Sequence, residues 1–77
     1  MSADNFLLIH KKTFEVFSGC ASNENIWLIG KGKNLEDAIE IAEKYERDMI
    51  EDGGPPVEYG ISFTKSLKGY NLLKKGG

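Results

Sequence analysis

The chain has 77 residues, with 10 basic and 12 acidic side chains and a formal net charge of −2. This length predicts one domain, which at this size buries only about 60% of the surface of its unfolded chain. The single cysteine, Cys20, excludes an internal disulfide, and the sequence offers no Cys/His cluster for a metal. We therefore predict no metal and no cofactor, and expect dimerisation or partner binding to add stability.

No apolar run approaches the roughly 20 residues that a membrane-spanning helix needs. Residues 1–5 are polar, without the basic and then apolar segments of a secretory signal. We expect a loose N-terminus at residues 1–5, no membrane contact and a cytoplasmic location.

Two short segments rich in aromatic and aliphatic residues predict a β-hairpin. They are Phe6–His10 and Thr13–Ser18, and two lysines separate them. In the second segment, the two-residue period of a strand places Phe14 and Val16 on one face and Phe17 on the other.

A third strand and a helix follow. Residues Ile26–Ile29 are apolar at every position, which is typical of a strand covered on both faces. After Gly30–Lys33, the segment Asn34–Glu51 repeats apolar residues at steps of three and four, which predicts an amphipathic helix. The region 34–52 holds eight acidic and two basic side chains, or −6, which leaves +4 for the remainder of the chain.

After the helix, residues 57–64 alternate apolar with polar or small side chains and predict a half-buried fourth strand. Residues 65–77 form a basic tail with an apolar cluster at Tyr70, Leu72 and Leu73, which is either a short last strand or a flexible end. The expected fold is α+β in the order β-β-β-α-β, with a three-stranded antiparallel meander and one helix. The single domain spans residues 6–64.

One helix covers only one face of such a sheet. We expect Leu7, Ile9, Phe14, Val16 and Tyr59 to face the helix. Phe6, Leu8 and Phe17 then lie on the opposite face, together with one of Trp27 and Leu28. That face stays open unless Leu72 and Leu73 of the tail cover part of it. An open apolar face of this size is typical of an interaction surface, so we predict that it binds a protein partner or a second copy.

The predicted partner-binding residues form two groups. Apolar anchors on the open face are Phe6, Leu8, Phe17 and Trp27, and an electrostatic rim on the helix consists of Glu40, Glu43, Asp48 and Glu51.

The connection between the third strand and the helix is a candidate anion site at Lys31, Gly32 and Lys33, because helix N-termini favour phosphate. Its spacing matches neither the P-loop nor the Rossmann fingerprint, and a plain glycine-containing connection is the preferred interpretation. The only histidine, His10, has no nucleophile or metal partner nearby in sequence. We therefore predict that the protein is not an enzyme.

Nucleic-acid binding is a weaker hypothesis than protein binding. The sequence pI is about 5.3, and the only arginine, Arg47, lies on the acidic helix. A surface that binds nucleic acid usually combines a basic stripe that includes arginine with aromatic side chains on which bases stack. The hairpin tip and the tail are where nucleic acid would bind.

Residues 30–56, GKGKNLEDAIEIAEKYERDMIEDGGPP, resemble the N-terminal domain of HicB-like antitoxins. There a β-meander leads through a Gly-rich turn into an acidic helix, and a Gly/Pro break precedes the last strand. The resemblance implies binding of a toxin or another protein through the sheet and helix. HicB-like proteins usually carry a C-terminal DNA-binding segment, for which the residues after Phe63 are too few.

The ending Leu72–Gly77 is similar to the C-terminus of ubiquitin-like modifiers, which implies conjugation through Gly76 and Gly77. The strand at Ile26–Ile29 departs from the β-grasp order of that family. Our leading hypothesis is a non-catalytic module that regulates or inhibits a protein partner, like an antitoxin or a mobile-element inhibitor. The alternatives are a ubiquitin-like modifier and a nucleic-acid-binding accessory domain.

Overall fold

A computed structural model describes residues 5–20, 24–53 and 60–73. The elements in these ranges are β1 (Asn5–His10), β2 (Glu15–Cys20), β3 (Asn25–Lys31), α1 (Leu35–Glu51), β4 (Ile61–Thr64) and β5 (Asn71–Leu72). Three consecutive strands, one helix and further strands confirm the predicted α+β class. The sheet has the order β4-β1-β2-β3-β5 and is mixed. The meander is antiparallel as predicted, whereas β4 runs parallel to β1 and β5 runs parallel to β3.

The β1–β2 hairpin closes without an Asn-Gly or Asp-Gly turn because its turn is longer and is held by a side chain. Nδ1 of His10 accepts hydrogen bonds from the backbone N–H groups of Lys12 and Thr13, at 3.1 and 3.3 Å. The Phe14 N–H donates to the His10 carbonyl at 2.8 Å, and Phe14 has a positive φ of 63°. His10 is therefore a structural residue of the turn.

The helix begins where its sequence predicts. Oδ1 of Asn34 accepts from the Asp37 N–H at 2.8 Å, and Oδ2 of Asp37 accepts from the Lys33 N–H at 2.9 Å. These two bonds satisfy backbone donors that a helix start otherwise leaves without partners. At the other end, Gly53 adopts a φ of 80°, which glycine tolerates best, and donates to the Ile50 carbonyl at 3.0 Å.

The main core lies between α1 and one sheet face. Its fully buried residues are Leu7, Ile9, Val16, Ala38 and Ala42. Half-buried side chains pack around them, namely Phe14, Ile29, Ile39, Ile41, Tyr45 and Ile61. The predicted helix-facing positions of the first two strands are thus confirmed, while Tyr59 lies outside the described residues.

A second core lies on the opposite sheet face, and the chain's own tail covers it. Leu8 and Phe17 are only 1% exposed, and Ile26 is fully buried. Leu67 and Tyr70 pack against them, together with Phe6.

The tail reaches this face because of how it connects two strands. It leaves β4 where Thr64 is opposite His10, and it enters β5 where Asn71 is opposite Asn25. These two points lie at opposite edges and opposite ends of the sheet, so residues 65–70 cross the face diagonally. The prediction that this face is open is therefore wrong over its centre.

A β-bulge decides which of Trp27 and Leu28 joins the second face. Val16 pairs with Gly30 but its neighbour Phe17 pairs with Leu28, so Ile29 is an extra residue in β3. Leu28 thus shares the face of Phe17, while Trp27 pairs with Ser18 and lies on the helix side. The placement of Trp27 on the open face is wrong.

The region after the helix agrees with its prediction in part. β4 covers the last four residues of the predicted strand at 57–64, and residues 54–59 are outside the described ranges. Of its apolar side chains, Ile61 packs against the main core, whereas Phe63 is 46% exposed. The tail forms the short last strand β5, which was one of the two predicted options.

Substitution of Leu67 by Ala tests the covering role of the tail. Because Leu67 packs over the second core, we expect the free energy of unfolding to fall by about 1–2 kcal/mol. Leu73→Ala removes the same atoms from a side chain that is 44% exposed, and we expect a change within about 0.5 kcal/mol. Urea denaturation measures both, and equal effects would contradict a tail that covers the face.

Candidate functional site

The predicted anchors do not form a surface. Leu8 and Phe17 are buried inside the second core, and Phe6 is half-buried against Tyr70, with ring centroids 6.1 Å apart in an edge-to-face arrangement. Trp27 is half-buried on the helix side of the sheet. The tail covers this sheet face where a partner was expected. The two-residue period of the strands does not reveal that the tail packs there.

The predicted acidic rim lies on the far side of the sheet from these anchors. Glu40, Glu43, Asp48 and Glu51 are all exposed on α1, as the helix period requires. Since α1 packs on the opposite sheet face from Phe6, Leu8 and Phe17, rim and anchors cannot contact one partner surface together. Asp48 has a different neighbour, a groove between α1 and β3.

Exposed apolar side chains gather instead along β3 and β5. Leu28 is 45% exposed, Leu72 is 54% exposed and Leu73 is 44% exposed. Leu72 pairs with Ile26 in the parallel register, so it shares a sheet face with Ile26 and, two positions further on, with Leu28. The Leu73 N–H donates to the Ile26 carbonyl at 2.7 Å, which fixes this segment beside β3. We call Leu28, Leu72 and Leu73 the β3–β5 surface.

The helix side of β3 carries the groove. Its volume is about 410 Å³, and its lining residues are Ile29, Gly30, Lys31, Ile41, Lys44, Tyr45 and Asp48. Gly30 lies close to α1 in this groove, since a Cβ at that position would lie 3.0 Å from Cγ2 of Ile41. Apolar side chains of β3 and α1 contribute to the groove together with two lysines and one carboxylate.

The backbone of β3 completes this region. β5 pairs with β3 only at Asn25 and Ile26. Along Trp27–Lys31, the edge of β3 that faces away from β2 has no strand partner among the residues that the structure describes. An unpaired strand edge with apolar groups on both sides is a template for strand addition.

The glycine-containing connection before α1 is already occupied by internal contacts. The N–H of Gly32 donates to the Phe14 carbonyl at 2.8 Å, and the N–H of Lys33 donates to the Asp37 carboxylate. Gly32 is buried, and a Cβ there would lie 2.5 Å from the backbone N of Ala38. An anion bound by this backbone would have to displace Asp37, so the geometry does not support Lys31, Gly32 and Lys33 as a phosphate-binding loop.

Among the residues that the structure describes, no group of three or more His, Cys, Asp or Glu side chains has an arrangement suited to a metal ion. Gly76 and Gly77 lie outside the described residues, so conjugation through them stays a prediction.

None of the helices in the described part of the chain has the length and apolar character needed to cross a membrane.

Comparison with protein-family models, with curated protein sequences and with solved structures finds no match for this chain. The resemblances to HicB-like antitoxins and to ubiquitin-like modifiers therefore stay predictions.

The sequence contained partial signs of the β3–β5 surface. Leu72 and Leu73 stand out as the apolar cluster of a basic tail, but they are expected there as a cover for the sheet. Leu28 was one of two alternatives, and only the bulge at Ile29 decides between them.

Substitution of Asn34 tests the internal closure of the helix start. Removal of its side-chain acceptor in Asn34→Ala should lower the free energy of unfolding by about 1 kcal/mol, and Asn34→Gly by only a few tenths. Urea denaturation of the two variants beside the unmodified protein measures the difference. If Asn34→Ala were as stable as the unmodified chain, the capping contact would contribute nothing.

Proposed function

We propose that this protein is a non-catalytic binding module that regulates or inhibits a protein partner, and that it binds this partner along β3. The observation that carries the proposal is that Leu28 on β3, Leu72 on β5 and Leu73 directly after β5 are each at least 44% exposed on adjacent segments. Scattered exposed leucines need no explanation, but apolar side chains clustered on a small domain are typical of interaction sites.

Strand addition is the mode of binding that this geometry favours. A partner segment that pairs with Trp27–Lys31 would extend the sheet, and its main-chain hydrogen bonds would provide affinity. Alternate side chains of such a segment point to opposite faces. One set would reach the groove between β3 and α1, and the other would reach Leu28 and Leu72.

The groove indicates what the inserted side chain is like. Ile29, Ile41 and Tyr45 provide apolar contact area, which suits an aliphatic or aromatic anchor. Lys31, Lys44 and Asp48 add charges of both signs at the same site, which favour a partner with a charged residue next to its anchor.

The regulatory role rests on the resemblance to HicB-like antitoxins and on the small size of the domain. Inhibition needs only occupancy of a partner surface, which a module of 77 residues can provide. A cytoplasmic location belongs to the same proposal.

The test first identifies partners and then measures how tightly two variants with introduced glutamates bind them. Partners captured by the unmodified protein are purified and titrated against Leu28→Glu/Leu72→Glu and against Ile50→Glu. Ile50 is 53% exposed near the end of α1 and serves as the control for the loss of an exposed apolar side chain. We expect the double variant to bind at least about 100-fold more weakly and the control within about 3-fold.

Thermal melts by circular dichroism establish that both variants fold. A purified partner that binds the folded double variant as tightly as the unmodified protein would refute binding along β3. Deletion of Gly76 and Gly77 belongs in the same titration, because loss of binding in that form alone would favour the modifier hypothesis.

A further inference from the structure

Five lysines from three separate segments meet at one end of the sheet. They are Lys11, Lys12, Lys31, Lys33 and Lys65, and all five are exposed. We call this group the basic end. β1, β3 and β4 all finish at this end, because β3 and β1 are both antiparallel to β2, and β4 is parallel to β1.

Backbone contacts hold these segments side by side. The N–H of Lys11 donates to the Thr64 carbonyl at 2.8 Å, which places Lys65 beside the hairpin turn. The N–H of Gly32 donates to the Phe14 carbonyl at 2.8 Å, which places Lys31 and Lys33 on the other side of that turn. The lysines that look scattered in sequence are therefore adjacent in space.

The basic end concentrates most of the positive charge of the described chain. Seven lysines lie in the described ranges, and the two that lie elsewhere are Lys44 on α1 and Lys68 on the segment that crosses the second face. Three carboxylates also lie near this end, Glu15, Glu36 and Asp37. Glu15 accepts from the Thr13 hydroxyl at 2.8 Å, and Asp37 accepts from the Lys33 N–H, so two of the three are engaged locally.

The arrangement suits an extended polyanion. The ends of β4, β1, β2 and β3 span three strand spacings, or about 14 Å. That distance is long enough for lysines to contact several successive phosphates, which are spaced by about 3.4 Å per nucleotide on one strand of a duplex and further apart in an extended strand.

An exposed aromatic ring distinguishes nucleic acid from other polyanions. Phe63 is 46% exposed on the edge strand β4, where it pairs with Ile9, one position before the strand ends. It lies two residues before Lys65. Phosphate-binding lysines next to an exposed aromatic ring form the combination that binds single-stranded nucleic acid, in which bases are free to stack.

We propose that the basic end is a second binding site, which takes single-stranded nucleic acid. The lysines contact the phosphates, and Phe63 stacks on a base. DNA and RNA share this chemistry. The site is separate from the β3–β5 surface and borders the groove, because Lys31 belongs to both.

Fluorescence anisotropy with labelled oligomers of twelve thymidines and of twelve uridines tests the proposal. We expect binding at low salt. The logarithm of the association constant should fall linearly with the logarithm of the salt concentration, with a slope near −3.5 for about five phosphate contacts. Lys11→Gln/Lys65→Gln should reduce that slope by about 1.4 and weaken binding. The matched control, Arg47→Gln/Lys68→Gln, removes the same charge at two exposed positions outside the basic end and should bind like the unmodified protein.

A second variant separates base stacking from charge. We expect Phe63→Leu to weaken oligonucleotide binding by roughly 5-fold to 100-fold and to leave binding of inorganic polyphosphate unchanged. Preference for thymidine or uridine oligomers then assigns DNA or RNA. Thermal melts establish that every variant is folded.

Three results would overturn the proposal. The first is the absence of oligonucleotide binding even at low salt. The second is equal weakening by the two double variants, which would indicate nonspecific attraction. The third is an unchanged affinity of the folded Phe63→Leu variant, which would mark the basic end as a surface for polyanions in general or for the acidic helix of another copy. Sedimentation of the unmodified protein distinguishes these last two options.

Discussion

Coverage of the second sheet face is the constraint on which this structure depends. The single helix of the described chain covers one face of a five-stranded sheet, which leaves Leu8, Phe17 and Ile26 to be covered from elsewhere. Burial of each such side chain contributes about 1.5–3 kcal/mol. Their sum is similar in size to the whole net stability of about 4–12 kcal/mol expected for a domain of this length, which is the small difference between large opposing terms. Leu67 and Tyr70, which the tail carries across the face, thus hold the fold together.

This use of the tail also separates stability from binding. The same connection that buries the centre of the second face brings Leu72 and Leu73 beside β3, where they stay exposed. The apolar surface offered to a partner therefore lies at one side of the sheet rather than on the middle of a face. The acidic outer side of α1 lies away from it, and its first-turn carboxylate Asp37 is engaged in capping.

Local patterns predicted the parts of the fold that depend on local interactions. Asn34 and Asp37 mark the helix start because their side chains bond to neighbouring backbone groups, and alternation assigned Phe14 and Phe17 to the correct faces. The bulge at Ile29 was not predictable in the same way. The bulge arises from the packing of β3 against β2 and α1, and no single residue of β3 indicates its position.

The site depended even more on long-range contacts. Residues 65–70 show no helical or strand period, so nothing in the sequence indicates that they cross a sheet face. The basic end was predicted only in part, at the hairpin tip and the tail, for a related reason. Lys11 and Lys33 come together because β2 pairs with both β1 and β3, and Lys65 joins them because β4 pairs in parallel with β1. The number of lysines in a sequence therefore does not show which of them strand pairing brings together.

The pairing of β5 with β3 has a consequence for synthesis of the chain. Leu72 pairs with Ile26, so the strand that completes the sheet is made 46 residues after its partner. Until residues 67–72 leave the ribosome, the hairpin of β1 and β2 has no cover for Leu8 and Phe17. The nascent chain therefore carries an exposed apolar face that chaperones can bind. Its native sheet forms only after residues 67–72 have been made, so the first three strands cannot complete it as they emerge.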